Sequence, residues 1–221
     1  MIHALSGCLV ALLSGTVPQE AGEAEKLYDR MLEKMVGAET LQVAFKGDVK
    51  VKGAVARSME GRLLIQSPNC LYVKVEGKVQ GKPDSSLTVC DGTSFKVGDK
   101  PPQPAPESAA DNYRVMIAVT GLSTYLNTKA VRGVSPEAKA WKLGKKEKVG
   151  AAETQALEYT LDVGKPEIGI TTTVWIDLKT DLPVKRTTVI KAGADELVCT
   201  ESLGSIKAGE KIDPKMFVLP K

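Results

Sequence analysis

A chain of 221 residues, 43% hydrophobic and 26% charged, carries enough apolar material for one sizeable core, which excludes disorder of the whole chain. The formal net charge is only +3, and Lys and Glu are interspersed, so no basic block exists to track a phosphate backbone. Nucleic acid is excluded as a partner.

Residues Met1 to Gly15 read MIHALSGCLVALLSG, with an apolar run from Ala4 to Leu13 that is too short to span a bilayer and suits the core of a signal peptide. The expected organisation is a leader over residues 1–22 and a single exported domain over residues 23–221. Leu5-Ser6-Gly7-Cys8 also has a lipobox pattern, which makes a lipid anchor at Cys8 the alternative. Its placement argues against it, because the apolar Leu9 to Leu13 would then stay on the mature chain.

From Glu20 to Val36, Leu27, Met31, Leu32 and Met35 recur at helical spacing, predicting an amphipathic helix that Gly37 ends. The period then changes to two. Leu41, Val43, Phe45, Val49 and Val51 share one parity, followed by Met59, Leu63 and Ile65, by Leu71, Val73 and Val75, by Leu87 and Val89, and by Phe95 and Val97. Five strands joined by short turns make an antiparallel meander. A hairpin centred near Gln80 sets Cys70 opposite Cys90 at a spacing that a disulfide can span, and the alternative is two small, buried or half-buried thiols with no bond. Cys199 stays free in either case.

The segment DKPPQPAPESAADN, from Asp99 to Asn112, is expected to run over the surface, since its prolines cannot join a ladder. Asp111 reads as the N-cap of a second helix through Asn127, with Val115, Met116, Val119, Leu122 and Leu126 on one stripe. From Trp141 the period returns to two, implying five more strands, with a turn over Asp177 to Asp181.

The sole histidine is His3, inside the expected leader, so the mature chain lacks the usual base of hydrolytic sites. Asp48, Glu76, Asp162 and Asp177 sit in alternating strands or turns and read as solvated surface. Phosphate-cradling glycine loops, CxxC pairs and zinc-ligand spacings are absent from the sequence, so neither enzyme nor cofactor nor metal site is expected.

Four motifs appear in a telling order: Gly61-Arg62-Leu63-Leu64-Ile65-Gln66-Ser67-Pro68, then Cys90-Asp91-Gly92, then Val174-Trp175-Ile176-Asp177 leading to Leu182-Pro183-Val184-Lys185, and finally Phe217-Val218-Leu219-Pro220. With the order of elements, they make the chain resemble the LolA-like superfamily of periplasmic lipoprotein carriers, over roughly Ala24 to the C-terminus. In the family's best-known carriers an Arg precedes the strand-ending Pro and holds a lid closed, whereas Ser67 stands there in this chain.

The resemblance implies a mainly β (α+β) fold, an open, strongly curved antiparallel half-barrel of about ten or eleven strands covered by helices. It further implies an apolar cavity lined by Leu41, Val43, Phe45, Leu63, Ile65, Leu71 and Val73, with Met116 and Val119 from the covering helix. The implied ligand is an acylated lipoprotein or lipid, carried by a monomer across the periplasm toward the outer membrane, with hand-off proteins at the inner and outer membranes. The second function it implies is a sensor or structural module on the same fold, binding lipid or protein without transport.

Overall fold

A computed structural model describes residues 17–127, 131 and 136–220. His3, Cys8 and most of the expected leader lie outside the described residues. The elements in chain order are α1 (Val17–Val36), β1 (Thr40–Val51), β2 (Ala54–Gln66), β3 (Cys70–Val79), β4 (Lys82–Asp91), β5 (Ser94–Val97), β6 (Gln103–Pro104), α2 (Ala109–Thr120), α3 (Leu122–Asn127), β7 (Glu137–Val149), β8 (Ala152–Asp162), β9 (Ile168–Asp177), β10 (Pro183–Ala192) and β11 (Asp195–Ala208). A 3-10 turn over Pro214–Phe217 follows.

All eleven strands form one antiparallel sheet, ordered β6-β5-β4-β3-β2-β1-β11-β10-β9-β8-β7. The two meanders are joined in the middle by the first and last strands, from Leu41 opposite Ala208 to Val51 opposite Leu197. β6 and β7 stand at the two open edges, so the sheet is a half-barrel rather than a closed barrel. The alternation that predicted β1 is visible as burial: Leu41, Val43, Phe45 and Val49 point inward and Ala44, Lys46, Asp48 and Lys50 point to solvent. The same holds in β9, where Ile170, Thr172, Val174 and Ile176 are buried.

The helices cover the inner face. Ala24, Leu27, Tyr28, Met31 and Met35 of α1, and Ile117, Ala118 and Val119 of α2, share one cluster with the inward strand residues. On the outer face Leu64 packs with Ile212 and Phe217, flanked by Cys70, Tyr72 and Met216, so the C-terminal segment folds back across β2 and β3. Among the described residues, no helix is long and apolar enough to cross a membrane.

Four sequence expectations are corrected. The β3–β4 turn holds two residues, Gln80 and Gly81, so Val79 pairs with Lys82, Cys70 with Asp91 and Leu71 with Cys90. This one-residue difference moves Cys70 and Cys90 to opposite faces of the sheet, and both are free thiols. It also puts Thr88 and Cys90 on the inner face and turns Val89 outward, against Tyr72. The third correction is in the proline-rich segment, where Gln103 and Pro104 pair with Phe95 and Ser94. A proline is compatible with a strand at the edge of a sheet. Lastly, the second helix starts at Ala109, ahead of Asp111, and breaks at Gly121 into α2 and α3.

Burial pushes the Cys199 thiol up to about 12 and also raises Cys90 and Cys70 above their ordinary value. A maleimide at neutral pH should therefore label half-buried Cys70 first, and Cys90 and Cys199 only after unfolding. Mass spectrometry of alkylated protein checks this, and a Cys70–Cys90 crosslink would contradict the register.

Candidate functional site

The nine residues expected to line a cavity do come together on the inner face. Register sets Leu41, Ile65 and Leu71 in one row across β1, β2 and β3, and Val43, Leu63 and Val73 in the next. Phe45 lies over Gly61, where a Cβ would sit 2.8 Å from its ring, so the missing side chain makes room for the aromatic. Val119 is buried above them and Met116 is half-buried at the margin of the cluster. The N-terminal half of the face is thus continuous, apolar and roofed by helix side chains.

The second meander supplies the other half, including a charged pair that sequence reasoning missed. Leu157, Tyr159 and Leu161 of β8, with Val174 and Ile176 of β9, continue the apolar surface. Arg186 of β10 faces Glu201 of β11 in register, both buried on this inner side. A sequence signal for this pair exists, since Arg186 shares parity with Thr188 and Ile190 while Glu201 shares it with Cys199 and Leu203.

The pair fastens the break between α2 and α3. Arg186 Nη1 and Nη2 donate to the carbonyls of Ile117 and Ala118, each at 2.8 Å, in the last turn of α2. Tyr159 Oη donates to the Val119 carbonyl at 2.7 Å. Glu201 Oε2 accepts from Ser123 N at 2.9 Å in the first turn of α3, and Glu201 Oε1 lies 3.8 Å from Arg186 Nη1. A cation at a helix C-terminus and an anion at an N-terminus are what the unpaired backbone groups there require. Burial raises the Glu201 carboxyl, while Arg186 and the Ser123 amide pull it back down.

Gly121 makes the junction feasible. Its φ is +80°, and a Cβ there would lie 2.5 Å from Glu201 Oε1 and 2.8 Å from Arg186 Nη1. Further fastenings hold each end. Asn69 Oδ1 accepts from Ala110 N at 3.0 Å, and Arg57 donates to Asn127 Oδ1 at 2.7 Å and to Asp84 Oδ2 at 2.6 Å. Arg114 of α2, itself buried, donates to the Val36 and Glu39 carbonyls at 3.2 and 3.3 Å and to Ser67 Oγ at 3.2 Å. Burial holds its guanidinium below the ordinary arginine value.

The outer face offers different chemistry. Two adjoining open grooves, of about 460 and 420 Å³, share Lys46, Glu60, Glu76 and Ser202 and are lined largely by charged or small residues. No group of three or more His, Cys, Asp or Glu able to hold a metal occurs among the described residues. The buried polar groups bond the backbone of the helices that lie over the apolar face.

Removing one member of the buried pair leaves the other charged and alone. Arg186→Ala should destabilise the fold by about 3–5 kcal/mol, and replacing both residues by Met and Leu should cost far less than the two single changes summed. Urea unfolding followed by circular dichroism measures both.

No family model matches the sequence, and no curated protein matches it. Among solved structures, LprF from Mycobacterium bovis is 14% identical over 84% of this chain and 95% of its own, with a TM-score of 0.51. The MucA/MucB complex of Pseudomonas aeruginosa is 12% identical over 90% of this chain and 61% of the matched one, with a TM-score of 0.44. A LolA superfamily protein from Nitrosomonas europaea is 10% identical over 89% and 97% of the two chains, with a TM-score of 0.39. These last two overlaps are too loose to build on. With its eleven-stranded open sheet, central pairing of first and last strands and helical cover, the chain shares the fold of LprF.

Proposed function

We propose that this chain is an exported, non-enzymatic protein that binds an acyl chain against the inner face of its sheet and carries lipid or lipoprotein across the periplasm toward the outer membrane. One observation carries the reading: the inner face of an open sheet is apolar over β1 to β3 and again at Leu157, Val174 and Ile176 of β8 and β9, with the Arg186–Glu201 pair between the two stretches, and α1, α2 and α3 pack over it. The chain lacks the imidazole of common hydrolytic sites beyond His3, and its buried carboxylate, Glu201, is committed to Arg186 and a helix amide.

The physics of such binding is burial. Each methylene taken from water contributes about 0.8 kcal/mol, so an acyl chain held along part of the face binds appreciably. The helices contribute Met31, Met35 and Met116, unbranched and adaptable side chains that suit a ligand without a fixed shape. Binding requires a cover to move, and a ligand favours the open arrangement only by its differential contact with it. Arg114 ties α2 to the end of α1 and to Ser67, so it opposes that movement. In this reading the guanidinium reaches the Ser67 position from the helix side instead of from the sheet.

The test is native mass spectrometry of protein purified from its own cell envelope, with lipid extraction alongside. Bound acyl chains are expected, as is uptake of a fluorescent fatty acid that becomes several-fold faster in Arg114→Ala. Protein that is free of lipid and takes up no probe would end the carrier reading.

A further inference from the structure

The two covers of the inner face are fastened in different ways. α2 and α3 are held by buried polar bonds at Asn69 and at Arg186, Tyr159 and Glu201, and by a half-buried one at Arg57. Lifting them would strand a buried Arg, a buried Glu and several backbone groups. α1 meets the face through Ala24, Leu27, Tyr28, Met31 and Met35. Its described polar ties are the exposed pair of Arg30 Nε with Asp181 Oδ1 at 3.3 Å and the contact of Arg114 with Val36 at its last residue. Lifting α1 mainly uncovers apolar surface, which an incoming acyl chain would cover again.

α1 lies across β7 and β8, beside the open edge of the sheet. The pairing of β7 with β8 is interrupted twice, between Lys139 and Lys142 and between Leu143 and Lys146, and Trp141 sits in the first interruption. The Trp141 ring is 6.0 Å from that of Tyr28, which in turn lies 5.0 Å from Tyr159. In this group Tyr159 Oη donates to the Val119 carbonyl, and on the outer face the other tryptophan, Trp175, donates its Nε1 to Glu147. Trp141 Nε1 is buried and has no acceptor among the described residues. Buried donors are rarely left alone, so this one is an available hydrogen-bond site inside a packed aromatic cluster.

We propose that the aromatic cluster beneath α1 becomes, when α1 lifts, a head-end subsite for a single acyl chain, whose carboxylate or ester carbonyl oxygen accepts from Trp141 Nε1. The aliphatic tail replaces Leu27 and Tyr28 against Tyr159 and Leu157, and α1 is the cover that moves. This rests on the acyl-binding reading above and adds to it the ligand atom that is recognised and the helix that yields.

The sequence contains two tryptophans, so each can be observed alone. In Trp175→Phe, titration with oleate should shift or quench the emission of Trp141. In Trp141→Phe, which keeps an aromatic ring and removes the donor, oleate should bind about tenfold more weakly, the scale of one hydrogen bond to a charged group. Methyl oleate run in parallel separates the two oxygen sources: an equal loss assigns an ester carbonyl as well, and a loss confined to oleate assigns the carboxylate. If the wild type binds oleate while Trp141 emission stays unchanged and Trp141→Phe binds as tightly, the subsite is wrong and the carrier reading stands. If the wild type binds neither ligand, both are wrong. Should Trp141→Phe fail to fold, the emission of Trp175→Phe decides alone.

Discussion

The arrangement of the α2–α3 cover depends on a buried Arg–Glu pair placed under a broken helix. Arg186 and Glu201 sit opposite each other on β10 and β11, and each spends its charge on the backbone of the α2–α3 junction. Two ions in a protein interior rarely add stability over an apolar pair of similar volume, because desolvation offsets their attraction. What they supply here is position. Four hydrogen bonds from three strands meet within a few residues of Gly121, and a helix junction shifted by one residue would leave a charge or a carbonyl unpaired. An apolar face alone would tolerate sliding of the helices over it.

The strand order places this junction. Because β1 and β11 pair in the middle of the sheet, the chain segment between β6 and β7 must cross from one open edge to the other over the inner face. α2 and α3 are that crossing. Each exposed edge is blunted in its own way: β6 is a two-residue strand ending in Pro104, and β7 carries two register interruptions together with Lys142, Lys145, Lys146 and Lys148. Short strands, prolines, bulges and lysines at an edge discourage pairing with another chain, which lets a sheet remain open without becoming a template for aggregation.

Much of this was legible in the sequence, and the failures have identifiable causes. Parity placed Leu41, Val43, Phe45, Leu63, Ile65, Leu71 and Val73 on one face, because alternation in a half-buried strand needs only the strand itself to be right. Pairing between strands needs the turn length as well. Reading the Gln80 hairpin one residue off was enough to put Cys70 with Cys90 and Val89 with the core, since a slip of one reverses every side chain. The break at Gly121 was hidden by an apolar stripe that runs through it from Val119 to Leu122, and only the positive φ reveals it. Arg186 and Glu201 were visible as charges in phase with apolar neighbours, yet their meaning lies in helix carbonyls and an amide about seventy to eighty residues away in sequence, which no local pattern encodes.

The unequal fastening of the covers bears on how such a face would bind and release. An acyl chain entering where α1 lies exchanges one apolar partner for another. Methylenes of the ligand take the contacts that Leu27, Met31 and Met35 give up, at a similar free energy per unit of buried area. The net balance of that exchange is small, while the same chain wedged under α2 would have to overcome buried ionic and backbone bonds with nothing to offer in return. A balance near zero leaves the outcome to weaker terms: the exposed Arg30–Asp181 pair, the hold of Arg114 on Val36, and one hydrogen bond at the ligand's polar end. Interactions of that size are within reach of a binding partner, so the site would be loaded and emptied by small differences in contact rather than by unfolding its cover.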